Sequence, residues 1–207
     1  MKKISILIAD DHKIVRMGLK ALFSAEKDLT VVGEAEDGEL AVQQALGLKP
    51  DIVIMDLVMP KKDGVAATQE LHAKLPTARV VVLTSYSTSD TIAAALSAGA
   101  GGAVMKSADD SDLLSAIRTV AAGETFISPE VKSLLAVDPP APTLTPRQHD
   151  VLLALVKGFN NSEIADQLGI SRTVVKEHVI SLLAKLGAAN RTELTAIAIR
   201  KNLLNEA

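Results

Sequence analysis

Six polar side chains interrupt the apolar runs of the first half of the chain, each at the same relative place. Asp10 and Asp11 follow "ISILIA", Asp56 follows "DIVIM", Thr84 and Ser85 close "ARVVVLTS", and Lys106 closes "GGAVMK". An unpaired carboxylate is costly to bury, so Asp56 inside "DIVIMDLVM" demands a rim or a partner. Three carboxylates brought close together repel and raise at least one pKa unless a cation compensates. Oxygen-only ligands beside a phosphate-sized gap suit Mg²⁺, which keeps waters and takes one or two carboxylates plus phosphate oxygens. Lys106 supplies a second positive charge. Such a set is built for phosphoryl transfer, which needs positioning and charge neutralisation above all. His12 is the one histidine near these residues and the chain has no cysteine, so the phosphoryl acceptor is expected to be a carboxylate, and Asp56 is the central one.

One Asp at a strand end is usually a turn former or helix cap. Five of these residues, Asp10, Asp11, Asp56, Thr84 and Lys106, come from four strand ends and fit one electrostatic design, which requires elements that bring them together. Short β-rich runs, "ISILIA", "LTVVGEA", "DIVIM", "ARVVVLTS" and "GGAVMK", alternate with segments of helical period. Five βα units imply a parallel sheet covered on both faces, and the continuous apolar character of the strands agrees. Ligands of such sheets bind beyond the C-terminal strand ends where strand order reverses. With order 2-1-3-4-5, strands 1 and 3 are neighbours and Asp10, Asp11 and Asp56 share one cleft.

The helix "SADDSDLLSAIRTVAAG", with Ser107 and Asp109 as caps, ends this domain at Gly123. Residues 124–142 read as a connector with one helical stretch and a proline-rich spacer, "VDPPAPTLTP". Residues 143–207 are purely helical in period. "TPRQHDVLLALVKG" opens as a capping box with proline at the first helical position. "NNSEIADQLG" and "ISRTVVKEHVISLLAKLG" give two helices joined by a turn at Gly169–Ser171, and "RTELTAIAIRKNLL" gives a last one.

Composition bounds the function. With 48% hydrophobic and 23% charged residues in 207, the chain is globular and long enough for two small domains. It has no apolar run long enough to span a bilayer, and its N-terminal apolar stretch is too short for a signal peptide, so a cytoplasmic location is expected. Zero cysteines exclude disulfides and thiolate chemistry. Aromatics at 2% argue against a base-stacking single-strand binder and leave duplex binding open. Eight basic side chains stand against six acidic ones from Thr143 onward, and fourteen against nineteen before it. An acidic front and a mildly basic back fit a regulator joined to a nucleic-acid binder.

In the helical part, two helices joined by a tight turn read either as an ordinary helical hairpin with a solvated charged face or as a helix-turn-helix, which would put its second helix in the major groove. Ser171 caps that helix. Val175, Val179, Leu182, Leu183 and Leu186 form its inward stripe, which leaves Arg172, Thr173, Lys176, Glu177 and Ile180 facing outward. Lys176 reaches a guanine edge or a phosphate, Glu177 accepts from cytosine, and Ile180 touches a thymine methyl. Arg172, Thr173, Lys185 and Arg191 suit phosphates, which position without specifying. Leu194, Ile197, Ala198 and Leu203 give the last helix more apolar surface than a three-helix core needs. That surface would either complete its own core or pair two copies over a palindromic operator.

"ILIADDHKIVRMGLKALF", "GEAEDGELAV", "PDIVIMDLVMPKKDG", "VVVLTS", "SAGAGGAVMK" and "GETFISPEV" resemble the receiver domain of bacterial two-component response regulators. "LTPRQHDVLLALVKGFNNSEIADQLGISRTVVKEHVISLLAKLGAANRTEL" resembles the LuxR-type helix-turn-helix of the NarL/FixJ class. Together they cover nearly the whole chain in the family's order. The resemblance implies a flavodoxin-like (βα)5 receiver followed by a small all-α DNA-binding domain. It implies that Asp56 accepts a phosphoryl group from a sensor histidine kinase. It further implies that Asp11, Asp56 and the Val58 carbonyl hold Mg²⁺, with Asp10 acting partly through water. Thr84 and Lys106 would bind the phosphoryl oxygens and draw in the loop after strand 4. The partners implied are promoter duplex DNA and, on phosphorylation, a second copy of the chain.

The sequence departs from the family pattern. Ala103 stands where relatives carry Tyr or Phe three residues before the lysine, so no aromatic can swing inward there. Tyr86, the chain's only tyrosine, is expected to report or partly replace that movement. Val174 replaces the usual threonine, Gln148 the usual glutamate, and Ile180 is apolar where many relatives are polar. Two other functions compete. A phosphorylation-independent DNA-binding regulator gains weight from Ala103. A Mg²⁺-dependent aspartyl phosphatase would carry its nucleophile in a D-x-D pattern after the first strand, which "ADDHK" does not match.

Overall fold

Runs such as "ISILIA" and "RVVVLT" leave no polar face for water, so each strand must be covered on both sides. The computed structural model, which describes residues 3–85, 88–140, 142, 144–201 and 203–204, meets that demand. Strands β1 (Ile4–Ala9), β2 (Leu29–Ala35), β3 (Ile52–Met55), β4 (Arg79–Thr84), β5 (Gly102–Met105) and β6 (Phe126–Ile127) form one parallel sheet in the order β2-β1-β3-β4-β5-β6.

Alternate residues of each strand go to opposite faces. Leu7, Val53, Met55, Val80 and Val82 pack with α2 (Gly38–Leu48), α3 (Gly64–Lys74) and α4 (Ser89–Ser97). Ile6, Ile8, Ile52, Ile54 and Val81 pack against Leu19 and Phe23 of α1 (Lys13–Ala25) and Leu113 and Ile117 of α5 (Asp110–Ala121). Neighbouring β1 and β3 carry their successor helices on opposite faces, which opens a crevice at their C-terminal ends. At α5, Asp109 takes the expected N-cap position, and its side chain makes no capping hydrogen bond there.

Beyond Gly123 the chain stays packed with the first unit, and the helical stretch expected in the connector is present. The first compact unit runs to Pro140, and the second covers Ala141–Ala207. Phe126 and Ile127 pair with Gly102 and Ala103 as the sixth strand. Helix α6 (Pro129–Val137), capped by Ser128, seats Val131 at 0% exposure in the same core as Ala103 and Ile92. Its far end is held where Ser89 Oγ donates to Asp138 Oδ2 at 2.9 Å.

The second unit contains α7 (Pro146–Val156), α8 (Asn161–Leu168), α9 (Arg172–Leu186) and α10 (Arg191–Arg200) around Val151, Leu152, Leu155, Ile164, Val175 and Leu182. Thr145 and Gln148 form the capping box expected from sequence, and Asn160 with Glu163 forms a second one. Gly169, at φ 63, ends α8 and Ser171 caps α9. Leu194 and Ala198 are fully buried in the unit's own core, with Ile197 and Leu203 packed against it. The apolar surplus of α10 is therefore spent internally, while Ile199 stays exposed.

Candidate functional site: an acidic cleft and a recognition helix

Register alone brings the first carboxylates together. Ala9 is opposite Met55, and the Asp56 N–H donates to the Ala9 carbonyl at 2.8 Å, so Asp10 and Asp56 leave adjacent strand ends side by side. The loop after β3 is held tight: the Leu57 N–H donates to Asp56 Oδ1 at 2.8 Å and the Gly64 N–H to the Leu57 carbonyl at 3.0 Å. A Cβ on Gly64 would lie 2.1 Å from the Asp56 carbonyl oxygen, so only glycine lets α3 start this close to the site. On β1's other side, Arg16 donates from Nη1 to the Asp10 carbonyl at 2.7 Å and fixes the strand's exit.

Asp10, Asp56 and Thr84 are 2%, 5% and 1% exposed, buried enough for charge to matter. Lys106 follows β5, its N–H donating to the Thr84 carbonyl at 2.8 Å. Its Nζ lies 2.5 Å from Asp10 Oδ2 and 2.8 Å from Asp56 Oδ2. One ammonium thus bridges two buried carboxylates. Burial pushes the Asp56 carboxyl above its ordinary value; Lys106 pulls it back, and Asp10 pushes it further up. Burial alone would lower the Lys106 ammonium, but its bonds to Asp10 and Asp56 hold it above the usual lysine value. Asp11 lies at the exposed mouth, its Oδ1 2.6 Å from His12 Nδ1.

Asp10, Asp11, His12 and Asp56 each present a ligand-capable atom, all within 4.8 Å of one another. Two anions against one cation at the buried level, with a third carboxylate above, leave negative charge that a divalent cation would neutralise. Val58, in the loop two residues after Asp56, is 64% exposed and its backbone is within the same turn. A separate cavity of about 380 Å³ opens on the other side of Lys106, between Val15 and Leu19 of α1 and Leu113 of α5. It is lined by none of the three cleft carboxylates. Tyr86, expected to report the Thr84 movement, lies outside the described residues. Ala103, 1% exposed, faces the core shared with α6.

On α9, Val175 and Leu182 are buried and Val179, Leu183 and Leu186 pack against the core, while Arg172, Thr173, Lys176, Glu177 and Ile180 are exposed. The inward stripe and outward face match the helical reading. Lys185 and Arg191 are different. Lys185 Nζ donates to Gln148 Oε1 at 2.9 Å, and Arg191 donates to the Phe159 carbonyl and to Asn161 Oδ1. Both are tied into the fold. Gln148, read only as a cap, also donates from Nε2 to Ser181 Oγ at 2.9 Å, joining α7 to α9. The signal available in the sequence was its spacing, three and four residues ahead of Val151 and Leu152 on the helix's apolar stripe.

The match to known families agrees with both regions. Residues 6–118 match the response regulator receiver domain, and residues 142–198 match the bacterial regulatory proteins of the luxR family. This chain belongs to the response regulators. It carries the LuxR-type DNA-binding domain of the NarL/FixJ class after its receiver. The response regulator protein VraR of Staphylococcus epidermidis is 37% identical over 206 residues, covering 97% of this chain and 99% of that protein. The response regulator ChrA of a heme-sensing two-component system is similar in structure, at TM-score 0.58 and 35% identity over 98% of this chain and all of that one. The response regulator RcsB in complex with DNA gives a TM-score of 0.71 at 28% identity, covering 97% of this chain and 99% of that one. Phosphorylation by a histidine kinase and a Mg²⁺-binding acidic pocket are general for this family. Among the described residues, no helix is long and apolar enough to cross a membrane.

Proposed function

We propose that Asp56 is the phosphoryl acceptor of this response regulator and that its acyl phosphate controls promoter binding by the second unit. The observation that carries this reading is the Lys106 ammonium bridging Asp10 and Asp56 at 2.5 and 2.8 Å. In the transfer, an Asp56 carboxylate oxygen attacks the phosphorus of a phosphohistidine on a sensor kinase; the P–N bond breaks and its electron pair leaves with the imidazole. The donor set fits Mg²⁺: Asp11, Asp56 and the Val58 carbonyl would hold it, with Asp10 acting through water. Bound there, the cation would neutralise charge on the phosphoryl oxygens.

Lys106 would exchange its bond to Asp56 for one to a phosphoryl oxygen while keeping Asp10. Thr84 at the end of β4 would offer its hydroxyl to another, drawing the following loop inward. Unphosphorylated, Asp56 is held in a buried, net negative cleft, which favours a change that brings in a cation.

The second unit would read duplex DNA through α9, with Lys176, Glu177 and Ile180 at base edges and Arg172 and Thr173 at phosphates. Lys185 and Arg191 would reach phosphates only from side chains that also hold the fold together. Two copies on a two-fold operator, in the cytoplasm where promoter DNA is accessible, complete the proposal; the related RcsB has been seen as dimers bound to DNA. The test is intact-protein mass after incubation with a small phosphodonor and Mg²⁺. One phosphoryl group should add to the native chain and none to Asp56→Asn. Addition to both would move the acceptor elsewhere. Addition to neither would favour a phosphorylation-independent regulator, the reading that a buried Ala103 in place of a swinging aromatic supports.

A further inference from the structure

Helix α6 is fastened to the first unit at three places. At its start, the Ser128 N–H donates to the Ala103 carbonyl at 3.0 Å, and the Ser128 side chain caps the helix by accepting from the Val131 N–H. In its middle, Val131 is fully buried in the core that holds Ala103 of β5 and Ile92 of α4, with Leu134 and Leu135 packed against it. At its end, Asp138 Oδ2 accepts from Ser89 Oγ at 2.9 Å. Ser89 is fully buried in the first turn of α4, five positions after Thr84. The bond sets a carboxylate beside the N-terminal end of α4, where negative charge is favoured. A buried hydroxyl left without its acceptor is costly, so the end of α6 follows the first turn of α4 closely.

We propose that α6 is the output arm of the receiver, latched to α4 by the Ser89–Asp138 bond while Asp56 is unmodified and unlatched when phosphorylation draws the chain after Thr84 inward. The proposal rests on Asp56 being the phosphoryl acceptor. Only four residues separate Thr84 from Ser89, so a pull on the Thr84 hydroxyl reaches the first turn of α4 with little slack. A shift of about 1 Å takes a bond of this length out of hydrogen-bonding range. Ala103 has no side-chain torsion that could report such a movement, so the report falls to the helix hung on its backbone. Beyond Asp138 the chain runs through Pro139 and Pro140 to the second unit, which begins at Ala141. A proline pair is a stiff spacer, so a freed α6 changes what the second unit is tethered to.

A purely structural anchor would hold α6 in both states of Asp56. The two roles predict different results. Amide hydrogen exchange of residues 129–137 would be followed on the full chain in Mg²⁺, with and without a small phosphodonor, while intact mass reports the phosphoryl group. Ser89→Ala and Asp138→Ala remove the donor and the acceptor in turn. The first deletes one buried oxygen and the second alters a partly exposed helix end, so neither disturbs the core. A latch predicts that phosphorylation speeds exchange in α6 of the native chain about tenfold, the loss of one hydrogen bond to a charged group. Both variants should exchange that fast without phosphodonor and gain less than about twofold from it, with Asp56 labelled as in the native chain. Unchanged α6 exchange in a native chain that carries the phosphoryl group would overturn the latch and leave the acceptor reading standing. Equal gains on phosphorylation in the native chain and both variants would overturn it too, since the movement would not pass through this bond. A native chain that takes up no phosphoryl group would sink the acceptor reading and the latch together, and the mass identifies that case.

Discussion

The acidic cleft and the recognition face of α9 are both sets of polar residues, yet they are built by opposite means. In the cleft, residues from four strand ends meet only because the sheet is doubly wound, and they are buried at net negative charge. On α9, five consecutive-turn residues share one exposed face by helical period alone. The first arrangement stores electrostatic tension that a cation and a phosphoryl group can release. The second stores none, and on the proposed reading its specificity would come only when DNA supplied the other half of each contact. A switch belongs in the first kind of site and a reader in the second.

The comparison breaks most visibly at Lys106. Lys106→Ala leaves Asp10 and Asp56 buried with no ammonium between them. Breaking a buried pair by removing one partner costs about 3 kcal/mol or more, so the first unit should lose that much stability in urea at neutral pH. Phosphodonor labelling should slow on the order of a hundredfold, the usual cost of losing a charge-stabilising group. Hydrogen exchange of α7–α10 should be unchanged. If the second unit lost protection equally, the two regions would be energetically one.

Lys176→Ala tests the reader. A base contact predicts a loss of about 1 to 3 kcal/mol on the cognate operator with little change on random duplex. A uniform loss with a smaller salt slope would make Lys176 a phosphate contact. Binding to a panel of operator variants at two salt concentrations separates the two.

The two regions were also unequally legible in the sequence. The cleft was readable because charge inside "DIVIMDLVM" or after "GGAVM" is conspicuous against apolar strands, and a parallel sheet has one rim where such residues can go. The outward set on α9 was readable from spacing. What spacing could not supply was tertiary: that Lys106 spans both Asp10 and Asp56, that Lys185 folds back on Gln148, and that Arg191 holds the Phe159 carbonyl. Strand β6 escaped for the same reason. Two residues, Phe126 and Ile127, become a strand only through pairing with Gly102 and Ala103 more than twenty positions away.

Gln148 sharpens the contrast, because among the described residues of the second unit it is the buried polar side chain. It bonds the Thr145 backbone, Ser181 and Lys185. Gln148→Ala should cost about 1 to 2 kcal/mol, a lost cap plus a lost interhelical bond. It should also loosen α9, seen as faster exchange at residues 172–185. Gln148→Glu should keep the Lys185 contact and lose the donor to Ser181, giving a smaller loss.

The smallest effect has the most diagnostic sign. Asp56 is more easily protonated in the folded receiver than in the unfolded chain, chiefly because it is buried. Between the two pKa values the folded state holds more protons, so this group makes stability fall as pH rises through that interval. Asp56→Asn has no such proton to lose. The variant should match the native chain below the ordinary carboxylate pKa and exceed it above the raised one, by on the order of 1 kcal/mol at neutral pH. Melting curves from pH 3 to 8 read this directly. Saturating Mg²⁺ should narrow the gap, since it stabilises the native cleft by binding the folded state and gains less from the variant. Asp56→Asn that is less stable at pH 7 would mean the Lys106 pair outweighs burial. The cleft would then be a satisfied ion cluster, no more strained than the face of α9.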